Sequence, residues 1–342
     1  EFVAAALKVE LRAELVAGWE GDSMRRPGLE TAMGLALAAS GQAVIEDPQV
    51  EIIALACSPH EKADWAEAAA AAGKHIFLNK PFAESHDAAR RIIHAVDAAG
   101  VCLVHDIGIH RAHLLTAKLL DEMRSGVYGN PIGCFNAWSM TFSQDSTLAE
   151  YWPERLASPS ESGGGELTNM GCYAIDYMVA LFGISLRVQA RKSDFWGYYS
   201  RAGVKNFGQI VADYGNFYAL LNAGKQPLKS LENMDVAGAL QPRHCHNVME
   251  LQFEGHNITT MPYSEFLLCG GKQIAVAEYL EGYDFRSAFR QLNDAMEGGP
   301  EPESNAAVAA QGVELLMAAY RSALQDGASV KLPLEDGGNP LM

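Results

Sequence analysis

The sequence is poor in positive charge: 26 Lys and Arg stand against 42 Asp and Glu in 342 residues, a formal net charge of −16. That deficit repels phosphate backbones and anionic lipid, and no basic stripe offsets it, which argues against nucleic acid and membrane partners. Long apolar runs are missing too. None reaches the roughly eighteen residues a membrane span needs, and the first residues lack the charged, apolar and small-residue zones of a secretory signal. A cytoplasmic location is the expectation. No Cys-x-x-Cys pair occurs among the six cysteines (Cys57, Cys102, Cys134, Cys172, Cys245, Cys269). Several fall inside apolar strand or helix patterns, where reduced thiols act as small hydrophobes, so a disulfide framework is not expected.

What is present is apolar material in quantity, 49% of residues, in a chain longer than one core usually serves. Two domains are therefore expected, residues 1–106 and 107–342. The first third alternates short β-branched runs with alanine-rich helical runs. AELVAGW (13–19), VEIIALACS (50–58), HIFLN (75–79) and VCLVHD (101–106) read as strands. PGLETAMGLALAAS (27–40), HEKADWAEAAAAAG (60–73) and ESHDAARRIIHAVDAAG (84–100) read as helices. Strict alternation, with strands apolar on both faces, predicts a Rossmann-type, doubly wound parallel sheet.

After Asp106 the texture changes. A helix near 112–125 leads through GVYGNP to the strand PIGCFNAWSMTF (131–142), a polar loop, and then GGGELTNMGCYAIDYMVALFG (163–183), glycines followed by a helix. Between about 186 and 282 the runs RVQARKSD, NVMELQFEG, NITTMPYS and KQIAVAEYL predict a large, mostly antiparallel sheet within an α+β domain. Two helices (about 285–297 and 304–326) and the strand SVKLPLE follow.

In an open parallel sheet the ligand crevice lies beyond the carboxyl ends of the strands. Those ends supply Trp19-Glu20, Cys57-Ser58-Pro59-His60, Asn79-Lys80-Pro81 and His105-Asp106. An acidic residue ending the second strand of a dinucleotide fold accepts hydrogen bonds from ribose hydroxyls and repels a 2′-phosphate; Glu20 fits that role, or is a solvated loop carboxylate. Ser58-Pro59 reads equally as a turn. On the glycine helix, Glu166, Asn169, Tyr173 and Asp176 are spaced 3, 4 and 3 and so share one face, as in any amphipathic helix. In PRHCHN (242–247), His244 and His246 face one side of a strand and Cys245 the other, so no metal site is expected.

Taken in order, VEIIALACSPHEKAD, AAAAAGKHIFLNKPFAESHDAARRI, GVYGNPIG, GGGELTNMGCYAID and SNAAVAAQGVELLMAAYRSALQDGASVKLPL resemble the Gfo/Idh/MocA family of NAD(P)-dependent oxidoreductases. The resemblance implies an enzyme acting on a sugar, cyclitol or related polyol, with NAD preferred to NADP. It implies cofactor contacts from Trp19, Glu20, Cys57, Ser58, Pro59, His60, Asn79, Lys80 and Asp106, and substrate contacts from Lys80, Trp152, Arg155, Asn169 and Tyr173. Lys80 would be displayed at the crevice by a proline that ends its strand, and Tyr173 would act as acid or base with the Lys80 ammonium favouring its phenolate. Each residue also has an ordinary reading: a surface lysine, a packed tyrosine, surface packing for Trp152 and Arg155. Relatives pair through the second sheet, which implies a homo-oligomer.

The sequence departs from the family pattern at Asn79 and Asn169, where relatives carry glutamate and aspartate, and at Ile109, where many carry arginine; Asp106 keeps an acidic match. A first strand and its Gly-x-Gly-x-x-Gly turn are not found, and the expectation is that they lie immediately upstream of Glu1. Two rival readings stand beside the dehydrogenase. One is an NAD-dependent glycosidase that oxidises a sugar transiently and eliminates the aglycone. The other is a non-catalytic binding or regulatory protein on the same scaffold.

Overall fold

The computed structural model describes residues 12–107, 114–143, 163–193, 207–228, 243–260 and 265–342. Among the described residues the first sheet is three-stranded and parallel, in the order β1 (Ile52–Leu55), β2 (His75–Asn79), β3 (Leu103–Asp106). β2 is buried on both faces, and its period of two divides its side chains between two cores. Ile76 and Leu78 point toward the alanines of α3 (Lys62–Ala71) and α4 (His86–Ala99), among them Ala66, Ala69 and Ala89. Phe77 points the other way, where Phe289 of α9 (Ala288–Met296) stacks on it at 4.1 Å with Val104 and Leu292 around the pair. A helix from late in the chain thus closes the second face of the early sheet.

The ends of α4 follow from its sequence. The Ser85 hydroxyl accepts the Ala88 N–H at the start, and Gly100 ends it in a left-handed conformation. Two earlier expectations need correction. Residues 13–19 form no strand: among the described residues no strand pairs with them, and a single backbone bond, Ala38 N–H to Gly18 O, ties the segment down. The helix expected over 27–40 breaks off early, and residues 34–40 are not helical. α1 (Arg26–Met33) stops at Gly34, whose φ of 70° glycine adopts without a Cβ clash, and α2 (Gly41–Glu46) restarts where Ser40 accepts the Ala43 N–H.

The second sheet has nine described strands. From one edge the order is β11 (Lys272–Ala275), β10 (Phe266–Cys269), β9 (Asn257–Thr260), β8 (Arg243–Phe253), β4 (Pro131–Ser143), β7 (Tyr218–Leu228), β6 (Phe207–Asp213), β5 (Arg187–Ser193) and β12 (Val330–Lys331). Every neighbouring pair is antiparallel except β4 and β7. Register aligns Leu267, Thr260, Met249, Asn136, Leu221, Ile210 and Ala190 on one face, all of them buried. Core helices α7 (Gly171–Phe182) and α10 (Ala306–Leu324) share that core. The opposite face is open, with Tyr218 at 57% exposure and Leu220 at 46%. Strands β6 and β7 add to the runs named from sequence, and the second half of KQIAVAEYL turns into a helix, Val276–Tyr279, instead of continuing the strand. None of the described helices is long and apolar enough to cross a membrane. Trp152, Arg155 and Ile109 lie outside the described residues, as do the side chains of His244, Cys245 and His246.

Candidate active site

Because β1, β2 and β3 are parallel and in register, with Leu55 opposite Leu78 and Asn79 opposite Asp106, their carboxyl ends open on one edge. Cys57, Ser58, Pro59 and His60 follow β1, Asn79 and Lys80 end β2, and Asp106 ends β3. The Lys80 N–H donates to Asp106 O at 3.0 Å, which joins two of these ends directly. Ser58 opens a short 3-10 turn in which its N–H donates to Glu61 Oε2 at 3.1 Å.

Trp19 and Glu20 lie in the loop before α1. Trp19 packs against Trp65 with ring centroids 5.5 Å apart. Glu20 accepts the Asp22 N–H at 3.0 Å and lies 3.4 Å from Arg25 Nη1. These groups fit a dinucleotide in kind, since a carboxylate suits ribose hydroxyls and the loops after β1, β2 and β3 suit the crevice of an open parallel sheet, although Glu20 follows a loop segment and not the strand the sequence suggested.

The second half of the site rests on the glycine run. At Gly164 φ is 148°, and a Cβ there would lie 2.2 Å from the Tyr320 hydroxyl and 2.5 Å from Thr168 Oγ1. Only glycine lets the chain pass so close to Tyr320, whose buried hydroxyl in turn accepts the N–H groups of Gly165 (3.2 Å) and Thr168 (3.1 Å). This satisfies the Gly165 N–H at the start of α6 (Glu166–Asn169) and shares the Thr168 N–H, which also donates to Gly165 O at 3.0 Å. The single helix expected from the sequence is interrupted at Met170, and α7 begins at Gly171.

That interruption brings Asn169 to Lys80. Lys80 Nζ donates to Asn169 Oδ1 at 2.6 Å and to Asn169 O at 2.9 Å. The Asn169 amide nitrogen donates to Glu166 Oε2 at 3.0 Å. An ammonium only donates and a carboxylate only accepts, so an asparagine between them satisfies both with its two different ends. An aspartate at 169 would set two carboxylates against each other, which gives the departure from the family pattern a local reason. Lys80 Nζ also faces the Tyr173 ring, 4.9 Å from its centroid. Glu166, Asn169 and Tyr173 thus gather around Lys80, while Asp176 lies by His105, 4.0 Å between Oδ1 and Nδ1.

Neighbouring thiols are inert. Burial pushes Cys57 and Cys172 each up to about 11 despite the lysines beside them, so both stay protonated near neutrality. The feature that sequence reading missed is beneath the strand end. Lys62, wholly buried at the first turn of α3, donates through Nζ to Asn79 O and Pro81 O. Its signal was available: positions 62, 63, 66, 69 and 70 form the buried stripe of that helix, and a lysine on such a stripe is out of place. Asn339 was missed as well. Its amide nitrogen donates to Glu84 O at 2.8 Å and Gly163 O at 3.1 Å, tying the segment after Lys80 to the glycine run.

Comparison with known proteins matches residues 1–106 to the Gfo/Idh/MocA sequence profile, described as an oxidoreductase family with an NAD-binding Rossmann fold. Residues 1–106 belong to the Gfo/Idh/MocA oxidoreductase family. Curated relatives include a D-xylose 1-dehydrogenase (NADP(+)) from Haloferax volcanii, 26% identical over 57% of this chain and 53% of its own. Another is a scyllo-inositol 2-dehydrogenase (NADP(+)) from Bacillus subtilis, 28% identical over 45% of this chain and 44% of its own. The chain spans about a third to a half of the length of the curated relatives it matches. Among solved structures, the WlbA dehydrogenase from Bordetella pertussis, in complex with NADH and UDP-GlcNAcA, superposes with a TM-score of 0.76 at 20% identity, covering 97% of this chain and 94% of that one. A levoglucosan dehydrogenase in complex with NADH and levoglucosan gives a TM-score of 0.74 at 16% identity, covering 92% of this chain and 89% of that one. At these identities the superpositions establish the fold, and with it the architecture the family implies for the whole chain.

Proposed function

We propose that the protein is an NAD(P)-dependent dehydrogenase or reductase that moves a hydride between a nicotinamide and a hydroxyl or keto carbon of a sugar, cyclitol or related polyol. The observation that carries this reading is the meeting of Lys80, from the end of a parallel strand, with Asn169 and Tyr173, from the glycine helix. The family of the first 106 residues and the named activities of the relatives support it. Division of labour follows the chain: residues 1–106 hold the cofactor and 107–342 supply most of the substrate site.

When bound, a nicotinamide supplies the hydride acceptor or donor. Cys57, Ser58, Pro59, His60, Asn79 and Asp106 at the strand ends, with Trp19 and Glu20 from the loop before α1, would hold it. Lys80 holds its ammonium where an oxygen gaining negative charge is stabilised, and Asn169 fixes its direction through two bonds. Tyr173 takes the hydroxyl proton in oxidation and returns it in reduction, with the neighbouring ammonium favouring its phenolate. Asn169 and Tyr173 also bind substrate hydroxyls, and we include Trp152 and Arg155 on family resemblance alone. NAD is preferred through Glu20, although the relatives above are named for NADP. The open sheet face carrying Tyr218, Leu220, Phe266 and Leu268 is the surface for a homo-oligomer. A cytoplasmic setting completes the proposal.

The test is a screen of polyols, aldoses and cyclitols with NAD and NADP, read by absorbance of the reduced nicotinamide. Turnover of at least one such compound is expected. Cofactor binding with no hydride transfer across the panel would reject the reading.

A further inference from the structure

We infer that Lys62 is a positioning residue for Lys80, gripping the main chain on both sides of it from below. This rests on the proposed role of Lys80, but its geometry is independent of any reaction. Lys62 is wholly buried, and its amine donates to the carbonyls of Asn79 and Pro81, the residues immediately before and after Lys80. Those carbonyls have few alternatives. β2 ends at Asn79, and Pro81 brings no N–H with which to continue a ladder. A buried carbonyl without a donor is costly, so a long side chain ending in several N–H donors meets a need at this point.

The grip completes a set of constraints on one residue. The Lys80 N–H is held by Asp106 O at 3.0 Å, the carbonyls flanking it by Lys62, and its ammonium by Asn169 Oδ1 and O. A lysine whose backbone and side chain are both fixed directs its charge at one spot, which is what stabilising a developing alkoxide requires. The side chain doing the gripping is an expensive choice for a purely structural tie, because burying an amine disfavours its charged form. Burial is the main influence that brings Lys62 down to about 7, with Lys80 adding to it and Cys57, Cys172 and Asp106 opposing it. Above neutrality a neutral amine keeps two N–H donors for the two carbonyls while adding no positive charge beside Lys80.

The experiment compares wild-type protein with Lys62→Met, which keeps most of the unbranched apolar stem and removes the donors, and Lys62→Gln, which keeps an N–H donor group on a shorter arm. Two readouts need neither cofactor nor substrate: amide hydrogen exchange over 77–83, and acetic anhydride labelling of Lys80. Lys62→Met is expected to speed exchange at Lys80 by about tenfold and to raise Lys80 labelling severalfold, with exchange over 315–320 unchanged; Lys62→Gln falls between. In turnover, kcat drops by about tenfold or more in Lys62→Met while cofactor affinity holds, and Lys62→Gln recovers part of it. Unchanged exchange and labelling in a folded variant overturn the assignment. Should wild-type protein turn over nothing in the substrate panel, the proposed function falls while exchange and labelling still decide the role of Lys62.

Discussion

Replacing Lys62 with methionine should change how stability depends on pH, and the structure sets the sign and scale. In the unfolded chain this amine titrates at 10.5, and in the folded protein burial lowers it to about 7. Below pH 7 both states carry the proton and the folded state bears the full penalty of a buried charge. Between 7 and 10.5 the unfolded chain binds a proton that the folded protein does not, so stability rises with pH at about 1.36 kcal/mol per unit. Methionine removes this dependence. The free energy of wild type relative to Lys62→Met should therefore climb by about 2.5 kcal/mol from pH 7 to pH 9. The window stops at 9 because unfolded thiols begin to titrate there, whereas Cys57 and Cys172 are held up to about 11 in the folded protein. Urea unfolding of both proteins at half-unit pH steps measures the difference. Parallel stability curves across that window would refute the argument.

Three further outcomes are expected. Asn339→Ala removes the amide that joins Glu84 O to Gly163 O, so it should destabilise by about 1–3 kcal/mol in denaturant melts and raise KM for substrate through loosening of the two halves of the site. Glu20→Ser removes the carboxylate beside Arg25 and with it the repulsion of a 2′-phosphate; the NADP to NAD ratio of kcat/KM should rise by about tenfold or more, and an unchanged ratio would remove Glu20 from cofactor selection. Phe289→Ala opens the stacked pair under β2 and should cost about 3–5 kcal/mol by chemical denaturation, with Phe77→Ala adding little once the partner is gone.

Much of the parallel layer was legible because local and global signals agree there. HIFLN is β2 residue for residue, and α4 begins and ends where Ser85 and Gly100 say it should. Segment 13–19 misled because an apolar alternation marks a candidate strand but does not supply the neighbour it must pair with. Breaks at Gly34 and Met170 escaped notice because helical periodicity continues across them, and at Met170 the interruption serves contacts with Lys80, remote in sequence. Lys80, Asn169 and Tyr173 were nameable through motif and helix-face spacing. The grip of Lys62 behind them was not, since its bonds to Asn79 O and Pro81 O join segments whose proximity only the folded chain creates, whereas the Glu166–Asn169 bond is a local i,i+3 contact on the face the spacing named. The return of α9 to the early sheet is another such long-range fact, invisible until Phe289 is seen on Phe77.

The central claim is that Lys80 and Tyr173 together handle the proton and charge of a hydride transfer. Its most direct test is single-turnover kinetics with an active polyol, using wild type, Lys80→Met and Tyr173→Phe, with cofactor affinity measured on the same samples. Tyr173→Phe keeps the ring beside the ammonium and removes only the hydroxyl. Both variants should bind cofactor within a few-fold of wild type and lose hydride transfer by about 10²–10⁴-fold. Hydride transfer at the wild-type rate in either variant would contradict the account.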